Sequence, residues 1–196
     1  MNILIRRIAL LALFIPFALS FSSCGYNSIV GKRETVDQSW SQVQNVYQRR
    51  ADLIPNLVAT VKGQANFESK TLTDVIEARA KATSIQVNAK DLTPENMKKF
   101  EDAQSGLSGA LSRLMVVSEN YPELKANAAF MALQGQLEGT ENRITVERKK
   151  FNESVQDYNT TILTFPNNLT SGMFGFTKRA YFEAKAGAEN TPEVKF

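Results

Sequence analysis

The stretch Glu123 to Leu163, ELKANAAFMALQGQLEGTENRITVERKKFNESVQDYNTTIL, decides the fold. Phe130, Leu137, Ile144, Phe151, Val155, Tyr158 and Ile162 fall on one stripe, and Gln134, Glu141 and Arg148 complete a strict 4-3-4-3 spacing. This pattern predicts a single helix of about forty residues. At about 1.5 Å per residue it is roughly 60 Å long, so the helices that bury its seam must be long too.

The same period recurs upstream. From Glu34 onward Val36, Trp40, Val43, Tyr47, Ile54, Leu57 and Val61 step by four and three, with Arg50 at the missing seam position. Pro55 lies inside this run, where loss of one backbone hydrogen bond predicts a kink or a division of the helix. Gly63 is the expected end, as a left-handed cap or hinge. Phe67 to Ile85 predicts a shorter helix through Leu72, Val75 or Ile76, and Ala82, with Arg79 on its seam. Asn88 to Pro94 reads as a turn in which Thr93 caps and Pro94 starts the next helix. That helix runs from Glu95 to about Asn120 through Met97, Phe100, Leu107, Leu111, Leu114 and Val117, and Tyr121-Pro122 breaks the chain after it. The expected fold is all-α, an antiparallel four-helix bundle with two long helices. Gly135 and Gly139 each cost about 1 kcal/mol relative to alanine in a helix interior, which predicts a neighbouring helix approaching closely there.

Both ends of the chain differ from this middle. Arg6 and Arg7 precede an apolar run, Ile8 to Phe21, that is short for a membrane span and contains Pro16. Residues 1–23 therefore read as a signal peptide. Phe21-Ser22-Ser23-Cys24 leads to the sole cysteine and is similar to the bacterial lipoprotein signal, with Phe21 where leucine is usual. Acylation of Cys24 would hold the domain on a membrane, since each buried methylene contributes about 0.8 kcal/mol. The alternatives are an uncleaved signal anchor and an ordinary buried cysteine. Residues 24–31 are expected to form a tether, 32–165 the bundle, and 166–196 a tail without periodicity, in which Phe174, Phe176 and Phe182 dock on the bundle as a lid or bind a partner.

Composition excludes more than it assigns. The 196 residues contain no histidine, so there is no Ser-His pair and no near-neutral imidazole acid or base. One cysteine makes neither an intrachain disulfide nor a zinc knuckle. No cofactor and no metal are expected. Loss of residues 1–23 removes two arginines and no acid, leaving 21 basic against 20 acidic residues, too balanced to attract nucleic acid.

Ionisable groups at seam positions are the candidate site: Arg50, Arg79, Glu119, Glu141 and Arg148, expected to pair as a buried polar network. Such a network fixes register among interchangeable apolar helices. The alternatives are a ligand site, or Glu119 and Glu141 acting as acid and base. Arg49, Asp52 and Asn56, flanking Pro55, form a candidate partner surface.

Several segments together strongly resemble the LemA family of bacterial membrane-anchored proteins: Tyr47-Gln-Arg-Arg-Ala-Asp-Leu-Ile-Pro-Asn-Leu-Val58, Val61-Lys-Gly63, Val75-Ile-Glu-Ala-Arg79, Ser118-Glu-Asn-Tyr-Pro-Glu-Leu-Lys-Ala126, Leu137-Glu-Gly-Thr-Glu-Asn-Arg-Ile144, Phe151-Asn152 and Tyr158-Asn159. The resemblance implies an antiparallel four-helix bundle held at the membrane by its N-terminus, and no established enzymatic activity. The expectation is a lipid-anchored, periplasm-facing scaffold or interaction module of the bacterial envelope, with an envelope protein as partner. The enzymatic alternative is a carboxylate-dependent hydrolase, and the third is a small-ligand carrier.

Overall fold

The structure is a computed structural model that describes residues 2–64 and 67–183, with side chains from Gly25 onward. Its helices are α1 (Asn2–Lys62), α2 (Ser69–Ser84), α3 (Pro94–Ser118), α4 (Pro122–Lys125), α5 (Ala128–Leu163) and α6 (Asn167–Phe174), with a 3-10 turn at Ala89–Asp91. The expected acylation at Cys24 lies outside the described side chains. Among the described residues no helix is long and apolar enough to cross a membrane.

Side-chain pairs fix the helix directions. Going down α1, the Trp40 ring lies 5.3 Å from that of Phe151 and Arg50 bonds Glu141, so α5 runs antiparallel to α1. Trp40 Nε1 donates to the Val87 carbonyl at 2.8 Å, and Arg79 Nε reaches the Ala51 carbonyl, so α2 is also antiparallel to α1. Phe100 lies 5.1 Å from Tyr47 and Ser108 bonds Arg50, so α3 is parallel to α1. The all-α bundle expected from the seam is present, with α1 and α5 as its long helices.

The long stretch is divided, however. α4 is a single turn, and α5 restarts at Asn127, whose Oδ1 accepts from the Ala129 and Phe130 amides at 2.9 and 3.2 Å. A side-chain acceptor that satisfies two orphan donors favours a helix start here over continuation. Conversely, α1 runs on through Pro55 rather than dividing. Gly63 follows its last residue without the left-handed conformation expected, since the positive φ among the described glycines is at Gly175.

Three further expectations are corrected. Residues 25–31 belong to α1 instead of forming a tether, because Ile29 is fully buried against the bundle. An added Cβ at Gly135 or Gly139 meets nothing within 4 Å, so no neighbouring helix approaches there. The tail carries α6 and then an extended strap over 176–183. Phe182 is buried in the core and Phe176 packs against it, whereas Phe174 stays exposed. Phe196 and residues 184–195 lie outside the described residues.

The apolar interior forms two clusters. One gathers Trp40, Tyr47, Phe100, Phe151, Tyr158 and Phe182, and the other Ile54, Leu57, Val75, Leu107, Leu114 and Phe130. Arg50 lies in sequence between their α1 members.

Candidate functional site

Arg50 is 1% exposed, and the acceptors of its guanidinium are spread over two other helices. Nη1 donates to Ser108 Oγ and Glu141 Oε2, both at 2.8 Å, while Nη2 donates to Gln104 Oε1 at 2.6 Å and to the Gln104 carbonyl at 3.3 Å. Gln104 Nε2 in turn donates to the Ala82 carbonyl at 3.3 Å. One layer therefore ties α1, α2, α3 and α5 together. The guanidinium also lies 5.1 Å from the Tyr47 ring, an arrangement that stabilises a desolvated cation. Burial raises the Tyr47 pKa, so its phenol stays neutral beside Arg50. Arg50 Nε has no partner, and Glu141 keeps 52% of its side chain exposed.

The other expected network members do not join this layer. Arg79 Nε donates to the Ala51 carbonyl at 2.8 Å. Pro55 has no N–H, so Ala51 is the carbonyl left without its helical donor, and Arg79 supplies the replacement. Glu119 is exposed at the end of α3 and pairs with Lys125 of α4, because the α3 helix ends one residue before it. Glu119 is thus neither buried nor part of the network. Arg148 meets Glu101 at 3.3 Å and stands 4.4 Å over the Phe182 ring.

Arg148 belongs to a second constellation that holds the strap. Asn159 Nδ2 donates to the Arg179 carbonyl and its Oδ1 accepts the Arg179 amide, each at 2.9 Å. Asn152 grips Phe182 in the same way, at 3.0 and 2.9 Å. The spacings match physically: seven residues of helix and three of extended chain both span about 10 Å. Tyr158 Oη donates to the Thr177 carbonyl at 3.0 Å, and Glu101 Oε1 accepts the Glu183 amide at 3.1 Å. Burial raises the Glu101 pKa, with the Arg148 guanidinium and the Glu183 amide opposing that rise.

Arg49, Asp52, Pro55 and Asn56 are all exposed on α1, with Gln48 Nε2 donating to Asp52 at 2.8 Å. Positions 49, 52 and 56 share one helix face by their spacing. Beside Arg50, a cleft of about 200 Å³ is lined by Ser108, Leu111, Met115, Leu137 and Glu141, smaller than the roughly 300 Å³ at which ligand pockets begin. A cavity of about 570 Å³ lies along the strap, between Pro94, Lys98, Glu101 and Tyr181. Among the described residues no three His, Cys, Asp or Glu side chains converge as a metal site.

The LemA family pattern matches residues 39–196, most of the chain. The chain belongs to the LemA family. Its relatives include magnetosome proteins MamQ 1 and MamQ 2 of Paramagnetospirillum magneticum, each 28% identical over 187 residues, covering 86% of this chain and 68% of theirs. Magnetosome protein MamQ of Magnetospirillum gryphiswaldense is 25% identical over 189 residues, covering 86% of this chain and 70% of its own. Protein LemA of Metamycoplasma hominis is 24% identical over 158 residues, covering 81% of this chain and 68% of its own.

In this LemA chain the seam pattern reveals Arg50 and its acceptor Glu141 but not the acceptors on α3. Gln104 and Ser108 are ordinary polar residues in the sequence of α3, and only the fold brings them under a guanidinium. The strap grips had a signal: Phe151-Asn152 and Tyr158-Asn159 repeat an aromatic-asparagine pair seven residues apart. The ring enters the core at each repeat while the amide beside it holds extended backbone.

Proposed function

We propose that this chain is a membrane-attached, non-enzymatic helical interaction module of the bacterial envelope, held through an acylated Cys24 with its bundle facing the periplasm. The observation that carries this reading is the Arg50 layer. Its charged groups are engaged in joining four helices, and the adjoining cleft is too small for a substrate, so the chemistry at the centre serves the scaffold. The larger cavity along the strap shares no residue with that layer, and the exposed Arg49, Asp52 and Asn56 of α1 are the face proposed to meet an envelope protein.

The intact mass of membrane-extracted protein, measured beside a Cys24→Ala variant, tests the anchor. A mature species beginning at acylated Cys24 is expected, and an unprocessed mass in both samples rejects it. In-cell photocrosslinking from position 49 tests the partner face: discrete adducts should vanish when Arg49, Asp52 and Asn56 are all replaced by alanine. Adducts unchanged by the triple substitution would sink that assignment.

A further inference from the structure

Two stretches of this chain carry no charged side chain: Ile8 to Gly31 and Tyr158 to Thr177. In a protein with 22% charged residues, each is long enough to be anomalous, and each ends in a basic pair, Lys32-Arg33 and Lys178-Arg179. The fold brings the two together. The Tyr26 ring lies 4.9 Å from Phe174 and 5.8 Å from Phe176, and the Arg33 guanidinium lies 5.6 Å from the Phe176 ring. A Cβ added at Gly25 would come within 2.8 Å of Asn167 Oδ1, so α6 packs directly on the α1 backbone next to Cys24. Lys32 pairs with Asp157 on α5, at the boundary of the second uncharged stretch.

On this uncharged end α6 presents large apolar side chains to solvent. Phe165 is 75% exposed, Leu169 61%, Met173 82% and Phe174 58%, with Leu163 beside them. These residues lie within the eight-residue α6, the turn before it and the last residue of α5, so they are a patch and not scattered exposures. Large apolar groups backed by a level of Lys and Arg match the layering of a bilayer surface, where rings and aliphatic chains enter the interface and cations meet phosphates. A second protein copy would require no such ordering of charge. The position of the patch also favours lipid: the membrane attachment lies one residue before Gly25 if Cys24 is acylated and four residues before it if Ile8 to Phe21 stays in place, in either case close to α6.

We propose that α6 and the preceding turn form a lipid-contacting foot, with Phe165, Leu169, Met173 and Phe174 in the bilayer interface and the basic pairs at the level of its phosphates. This rests on the membrane attachment proposed above and adds a second contact that fixes how the bundle stands on the surface. The foot makes the attachment two-point, which restricts the tilt of α1 in a way that a lipidated terminus alone does not.

The test uses the full-length chain with a solvent-sensitive fluorescent amino acid at position 173, or at exposed position 126 near the opposite end of the bundle. Each protein is attached to vesicles of phosphatidylethanolamine and phosphatidylglycerol, with or without brominated acyl chains. A blue shift and bromine quenching at 173, absent at 126 and lost when Leu169→Glu and Phe174→Glu are added, is the expected result. Sedimentation with vesicles but identical spectra at 173 and 126 overturns the foot while leaving the attachment intact. A blue shift at 173 that follows protein density and not lipid bromination identifies contact with a second copy, and also overturns it. Failure to sediment at all rejects the attachment and the foot together.

Discussion

Arg79 Nε donates a 2.8 Å hydrogen bond to the carbonyl of Ala51, the acceptor that Pro55 deprives of its helical partner. An arginine on α2 thereby repairs a proline on α1, and the repair lets α1 run unbroken through the position where its ladder is interrupted. The two residues should be energetically coupled. Arg79→Ala is expected to destabilise the protein by about 1.5–3 kcal/mol, the range for a hydrogen bond to a charged group. In a Pro55→Ala background, where the helix supplies its own N–H, the loss should be smaller. Urea unfolding of the four chains in the double-mutant cycle measures the difference, and strict additivity would show that the bond is incidental.

Arg50 and Glu141 form an unequal pair, one buried and one half exposed. Arg50→Ala leaves Gln104 and Ser108 facing a cavity and should cost about 3–5 kcal/mol. Glu141→Gln keeps an acceptor at the solvent edge and should cost about 1 kcal/mol or less. Chemical denaturation separates the two, and equal losses would mean that the layer depends on the ion pair and not on the burial of arginine.

Asn152 and Asn159 hold the strap through its main chain, so their loss acts locally. Replacing either by alanine unpairs one backbone N–H and one C=O, a penalty of about 1–3 kcal/mol for each group left without water. The expected readout is faster amide exchange at Arg179 in the Asn159→Ala chain and at Phe182 in the Asn152→Ala chain, with the α1 amides unchanged. Exchange that stays slow in both variants would show that Phe182 packing alone secures the strap.

Gly135 and Gly139 face open space on α5, so a methyl group there removes backbone entropy from the unfolded chain without a clash. Gly135→Ala and Gly139→Ala should each stabilise the protein by about 0.5–1 kcal/mol. A thermal melt that falls instead would reveal a contact to these positions from outside the described chain.

Asp37 is half-buried, and burial raises its pKa above the ordinary carboxyl value of 3.8 against the opposing field of Arg179. A carboxyl that binds its proton more tightly when folded contributes stability below its unfolded pKa, and this stability is lost as pH rises through the folded pKa. The stability advantage of Asp37→Asn over the parent should therefore grow as pH increases from the acid side of 3.8 to neutrality. Unfolding measured at both ends of that window checks the sign. A constant difference would mean that Asp37 titrates alike in both states.

The seam spacing determined by itself that this chain is helical, which faces of its two long helices are buried and that Arg50 stands among apolar neighbours, because a 3.6-residue period and the cost of burying a charge are local facts of sequence. The caps were equally legible: Thr93 and Pro94 start α3 as their chemistry requires. The restart at Asn127 is not marked by the apolar stripe, which begins only at Phe130, and hydrogen-bond geometry shows that the asparagine ends one helix frame and opens another. Tertiary structure alone decided that Arg79 serves Pro55, that Arg148 and Glu101 hold the strap, and that Glu119 stays in solvent. The first two depend on groups distant in sequence and the third on where α3 ends, and periodicity says which face a residue occupies but not which atom waits opposite it. The uncharged runs at Ile8 to Gly31 and Tyr158 to Thr177 are visible in the letters, yet their meeting at one end of the bundle follows from the antiparallel course of α1 and α5. Composition marks a surface, and packing determines which surfaces become one.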